Sequence, residues 1–103
     1  MSKLTTNRDN PDLSKIKDNG QQESYLVLSQ EETDKGYVRP LRNTYIHKKC
    51  GGLTKVDRRI AETYARNPSF YGGTFCVHCG VHFDLLKDGE RQFTWEDGSG
   101  VGE

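Results

Sequence analysis

The stretch that decides the fold is HKKCGG, His47 to Gly52, answered by CVHCG, Cys76 to Gly80, with 25 residues between Cys50 and Cys76. Each half places two soft or borderline ligands two residues apart and follows them at once with glycine. A tight turn brings such a pair to adjacent corners of a tetrahedron, and zinc takes four Cys or His ligands in that arrangement. The trailing glycine permits a positive φ and lets backbone N–H groups point at the sulfur. The expected ligands are His47, Cys50, Cys76 and Cys79, holding one structural Zn2+. His82, three residues after Cys79, is the rival for the histidine position, and His78 inside the second turn is expected to face solvent. An iron–sulfur or redox role for Cys76-x2-Cys79 is the remaining alternative, although a thioredoxin-like motif needs a βαβ context that is missing.

The rest of the chain fits a small, metal-stapled domain. Of 103 residues, 32% are hydrophobic, so the core is modest and a metal is the natural supplement. Three cysteines do not make an even disulfide framework. No signal-peptide h-region follows Met1, and no run of about 18 apolar residues spans a membrane. The expectation is a reducing, cytoplasmic setting. Catalytic patterns are missing too: there is no H-E-x-x-H, and the zinc deaminase pattern fails because no Glu lies two residues after a His. The chain therefore reads as a non-enzyme, with no small-molecule substrate expected.

Outward from the two turns, the segments read as follows. Residues 1–22 are polar, with Leu4, Leu13 and Ile16 as the sizeable apolar side chains, and are expected to be a disordered tail. Residues 23–97 form the folded domain. Tyr25–Leu28 is a short strand, Ser29–Gly36 a polar loop, and Tyr37-Val38 and Thr44–Ile46 are extended pieces. Leu53–Val56 is the return strand of a hairpin. Asp57 caps a helix that runs to Arg66 and stops at Asn67-Pro68. Asp88-Gly89 marks a hairpin turn, and Phe93 and Trp95 share one face of a last strand. Residues 98–103 are glycine-rich and expected to be flexible. The fold class is thus a small β-rich (α+β) zinc ribbon with two knuckles and one inserted helix.

Net charge is zero but uneven. Residues 1–38 carry −2, residues 39–66 carry +6 and residues 67–103 carry −4. The basic band comprises Arg39, Arg42, Lys48, Lys49, Lys55, Arg58, Arg59 and Arg66, interleaved with Tyr37, Tyr45, Tyr64, Phe70 and Tyr71. Basic residues among aromatics suit single-stranded or backbone nucleic-acid binding. Zinc ribbons also dock proteins through rigid loops and open sheet edges. A protein partner is the first expectation and nucleic acid the alternative.

The run from Thr44 to Gly52, together with AETYARNPSFYGGTFCVHCG (Ala61 to Gly80), resembles a family of uncharacterised small zinc-ribbon proteins of bacteriophages, prophages and bacterial genomes. GYVRP from Gly36 and Phe93-Thr94-Trp95 are similar as well. The resemblance covers residues 36 to about 101. It implies the ligand set His47, Cys50, Cys76 and Cys79, a phage or mobile-element origin and a host-cytoplasmic setting. It supplies no activity.

Overall fold

The computed structural model describes residues 3–103. The chain runs through β1 (Lys3–Thr5), a 3-10 turn (Pro11–Ser14), β2 (Ser24–Leu26), α1 (Gln30–Thr33), β3 (Thr44–His47), β4 (Leu53–Lys55), α2 (Arg58–Arg66), β5 (Gly73–Cys76), β6 (Val81–Asp84), β7 (Leu86–Lys87), β8 (Glu90–Arg91) and β9 (Phe93–Trp95). The architecture is β-rich, built from short pairs rather than one continuous sheet. The central sheet is antiparallel in the order β4–β3–β9, and β5–β6 and β7–β8 are hairpins.

Local chemistry accounts for these elements. The Asp57 carboxylate accepts the Arg59 N–H at 2.9 Å and starts α2. Asn67 ends the helix ahead of Pro68. Alanine at 61 and 65 lets the helix approach closely, and Tyr64 inserts beside them, all three buried. Asp88 (φ 53°) and Gly89 (φ 81°) both take positive φ, the condition for the two-residue turn that joins β7 to β8.

The core joins Tyr45, Tyr64, Cys76, Leu85, Phe93, Trp95 and Val101. Tyr45 meets Trp95 edge-on at 5.8 Å and Phe93 at 5.1 Å, and Tyr64 meets Trp95 at 5.3 Å. These are the T-shaped contacts that aromatic quadrupoles favour. Pairing of Tyr45 with Trp95 and of His47 with Phe93 across β3 and β9 delivers both aromatic faces to the same side. Three of the interleaved aromatics from the basic band, Tyr45, Tyr64 and Tyr71, are thus drawn into or against the core.

Two expected tails are folded. Residues 3–22 are not a disordered segment: β1 pairs in parallel with β2, and the Lys17 N–H donates to Gln21 O at 2.7 Å around Gly20. Residues 1 and 2 of that expected tail lie outside the described residues. The segment is polar because it is held by local turns rather than by a core: Asn7, Asn10 and Asn19 side chains each accept a backbone N–H two residues on. Gly20 (φ 91°) then seats directly on the second knuckle, where a Cβ would stand 1.8 Å from Gly80 O. At the other end, residues 98–103 curl back along β9. The Val101 N–H donates to Phe93 O at 3.0 Å, and Val101 is fully buried. That burial contributes about 1.5–3 kcal/mol, beside hydrogen bonds from the Trp95 N–H to Ser99 O and from Arg91 Nη1 to Val101 O. Within the expected 29–36 loop, Ser29 caps the short helix α1. Tyr37-Val38 forms no strand; the Val38 and Arg39 N–H groups bond Ala65 O at the end of α2 instead.

Candidate metal centre

His47, Cys50, Cys76 and Cys79 come together, with one ligand atom from each lying within 4.8 Å of all the others. This group could hold a metal ion. The 26-residue separation of Cys50 and Cys76 closes because the two knuckles end neighbouring hairpins. β3 and β4 flank the first, β5 and β6 flank the second, and the Val77 N–H bridges them by donating to Thr54 Oγ1 at 3.1 Å. His47 Nδ1 lies 3.4 Å from Cys50 Sγ and 3.7 Å from Cys79 Sγ, and Cys50 Sγ lies 3.5 Å from Cys76 Sγ.

Both knuckles share one backbone solution. Gly51 and Gly80 have the same φ of 70°. The Gly51 N–H donates to His47 O at 2.7 Å, and the Gly80 N–H to Cys76 O at 2.8 Å. A sulfur in each turn also accepts a backbone N–H, Cys50 Sγ from Gly52 at 3.3 Å and Cys76 Sγ from Cys79 at 3.4 Å. The first-position ligands, His47 and Cys76, are fully buried, whereas Cys50 and Cys79 are exposed.

The electrostatics suit a cation. The Gly52 N–H holds the Cys50 thiol below its usual pKa. Desolvation, followed by the neighbouring Cys76 and Cys50 sulfurs, pushes Cys79 up to about 11. Three sulfurs this close resist becoming three thiolates unless a positive ion joins them. Burial and then the Lys49 charge hold His47 below the usual histidine range, so its imidazole stays neutral and available as a donor. Its ring lies between Phe83, at 4.4 Å, and Phe93, stacked at 4.6 Å. Nε2 is buried without a hydrogen-bond partner, and Nδ1 faces the Cys50 and Cys79 sulfurs. The Phe83–His47–Phe93 sandwich was not legible in the sequence, because it depends on the non-local register of β9.

The two other histidines go elsewhere. His82 Nε2 pairs with Tyr25 Oη at 2.8 Å and stands outside the four-residue group. His78 is exposed and packs over Gly52, where an added Cβ would meet its ring at 2.5 Å. Gly52 therefore has a steric role as well as a turn role.

The structure divides the basic band. Arg59 is a latch: it donates to Leu28 O at 2.7 Å, Gln30 Oε1 at 3.0 Å, Thr33 Oγ1 at 3.2 Å and Glu62 Oε1 at 2.9 Å. Its partner Glu62 is buried and also accepts from Tyr37 Oη at 2.6 Å. Arg66 pairs with Glu32 at 3.5 Å. Arg42 lies over Trp95 at 4.9 Å, bonds Ser99 Oγ and pairs with Asp97 at 3.5 Å. Arg39 donates to Glu103 O at 3.3 Å. Arg58 reaches Glu62 only at 4.0 Å and stays 77% exposed. Lys48, Lys49 and Lys55 are exposed, and among the described residues their ammonium groups make no hydrogen bond or ion pair.

No family profile matches the chain, and neither a curated protein nor a solved structure does. The resemblance to phage zinc ribbons gains no support there. Among the described residues, no helix is long and apolar enough to cross a membrane.

Proposed function

We propose that this chain is a zinc-ribbon docking module, with one structural Zn2+ held by His47 Nδ1 and the sulfurs of Cys50, Cys76 and Cys79. The observation that carries the metal reading is the spacing of the donors. Zinc–sulfur and zinc–nitrogen bonds of about 2.3 and 2.0–2.1 Å, set at tetrahedral angles, require sulfur–sulfur edges of about 3.8 Å and sulfur–nitrogen edges of about 3.6 Å. The separations of 3.4, 3.5 and 3.7 Å lie close to those edges. Three thiolates and one imidazole fill four positions, which favours a structural over a catalytic ion.

The docking reading rests on what the knuckles present. Leu53, Val77 and Val81 are each about half exposed, at 56%, 55% and 49%, and all three sit on or beside the knuckles. Lys48 and Lys49 on the first knuckle carry charge unpaired among the described residues. This combination suits a protein partner that offers an apolar anchor flanked by carboxylates. A phage-encoded chain would find it on a host or phage protein in the host cytoplasm. Nucleic acid is the less favoured reading, because Arg42, Arg59 and Arg66 are engaged within the fold and Tyr45, Tyr64 and Tyr71 serve the core.

Elemental analysis of purified protein should find one zinc per chain, and His47→Ala should lose most of it while His82→Ala retains it. Affinity purification from host cells should recover one stoichiometric protein with the natural chain and lose it with a Leu53→Asp/Val77→Asp variant of equal zinc content. Salt-dependent retention of random DNA or RNA, with no protein partner recovered, would instead establish the nucleic-acid reading.

A further inference from the structure

A pocket of about 630 Å3, open to solvent on one side, lies beside the metal centre with none of the four candidate ligands in its lining, within the size range of pockets that take small organic ligands. The N-terminal segment roofs it with Leu4, Leu13 and Leu26, and the body of the domain lines it with Val56, Ile60 and Phe75.

Several polar atoms on the wall are already bonded. Tyr45 Oη bonds Thr74 Oγ1 at 2.8 Å and Phe75 O. Tyr25 Oη bonds His82 Nε2 at 2.8 Å, and Thr54 Oγ1 accepts the Val77 N–H. The buried side-chain atoms without partners among the described residues are Arg42 Nε and His47 Nε2, and neither residue lines the cavity. The lining is mostly apolar, so the pocket suits an apolar body. Its permanently charged lining residues are Lys55 and Asp57, both exposed at the rim. Asp57 is committed to capping α2, where the helix N-terminus offsets its charge. The Lys55 ammonium has no partner among the described residues.

We infer that this cavity is a binding site for a small amphipathic anion, with an apolar chain or ring system inside and a single carboxylate or related acid at Lys55. None of the four candidate metal ligands and none of Leu53, Val77 and Val81 lines the pocket, and part of its lining comes from the segment that the sequence presents as a tail.

The test is calorimetric titration of the full, metal-loaded chain with decanoate, with 1-decanol as the uncharged comparator. Saturable binding of one decanoate per chain is expected, with decanol about threefold to fivefold weaker. Lys55→Gln should erase that difference. Ile60→Trp and Val56→Phe fill the space from two walls, and either should weaken decanoate at least tenfold with circular dichroism and zinc content unchanged. Nuclear Overhauser contacts from the decanoate chain to the Leu13 and Ile60 methyls should appear in the natural chain, a readout that needs no variant. Absence of saturable binding would overturn the site, as would contacts to other methyls or undiminished binding by folded filled variants. Decanol binding as tightly as decanoate would overturn the assignment of an anion.

Discussion

The two knuckles have the same backbone and different surroundings. Each places a buried ligand first and an exposed cysteine second, then a glycine at φ 70° whose N–H closes the turn. What lies outside the turns diverges. The first carries Lys48-Lys49, and a Cβ on its Gly51 would meet nothing within 4 Å. The second carries Val77-His78, and its Gly80 is covered by the Asn19-Gly20 turn of the N-terminal segment. Ligand spacing and glycine thus fix the shared geometry, while the two residues inside each turn are free to set the surface. One knuckle is built into the body of the protein and the other is left open.

The largest effects should come from the buried ligands, where the two knuckles are alike. Structural zinc contributes about 10–16 kcal/mol in small domains, comparable to or above the whole stability of most domains, about 5–15 kcal/mol. Cys76→Ser is therefore expected to abolish cooperative folding as well as zinc retention. Near-UV circular dichroism with zinc analysis checks this, and a folded, zinc-free Cys76→Ser protein would break the equivalence of the two halves.

The next effect separates the covered knuckle from the open one. Gly51→Ala carries only the penalty for a side chain at positive φ, about 1–2 kcal/mol. Gly20→Ala adds to that a collision with the Gly80 carbonyl. It should cost about 3 kcal/mol in all, since overpacking typically adds about 1–3 kcal/mol. Hydrogen exchange should show Lys17–Leu26 losing protection in Gly20→Ala while β3 and β9 keep theirs. Equal effects for the two substitutions would mean that the N-terminal segment does not rest on the second knuckle.

A smaller, pH-dependent effect belongs to the same contact. Burial holds His82, the partner of Tyr25, below the ordinary histidine pKa of 6.5. The unfolded chain therefore binds a proton more readily than the folded one. The stability contributed by neutral His82 is complete above pH 6.5 and is lost as pH falls from there through the folded-state pKa. His82→Gln, which keeps a hydrogen-bonding group opposite Tyr25, should flatten the fall in melting temperature between pH 7 and 5.5. An unchanged slope would place the titration elsewhere.

The parts of this molecule that were legible in sequence are those whose physics is local. Spacing and glycine announce the ligand group, Asp57 and Asn67-Pro68 bound α2, and Asp88-Gly89 marks its hairpin. The parts that were not depend on partners far along the chain. Residues 3–22 have too little apolar surface to signal folding, and they fold because Gly20 fits against Gly80 and β1 finds β2. Val101 is one apolar residue among glycines, and only the return of the chain along β9 gives it a core to enter. Arg59 reads as a surface charge until Leu28, Gln30 and Glu62 surround it. The cavity is hidden for the same reason, since its walls come from opposite ends of the first 82 residues.

The most direct test of the central claim is chelation of the purified protein followed by near-UV circular dichroism and zinc analysis of the same sample. The expected result is release of one zinc per chain together with loss of the Tyr45–Tyr64–Trp95 tertiary signal, restored when zinc is returned. A chain that gives up its metal, or never held any, and keeps an unchanged tertiary spectrum would contradict it.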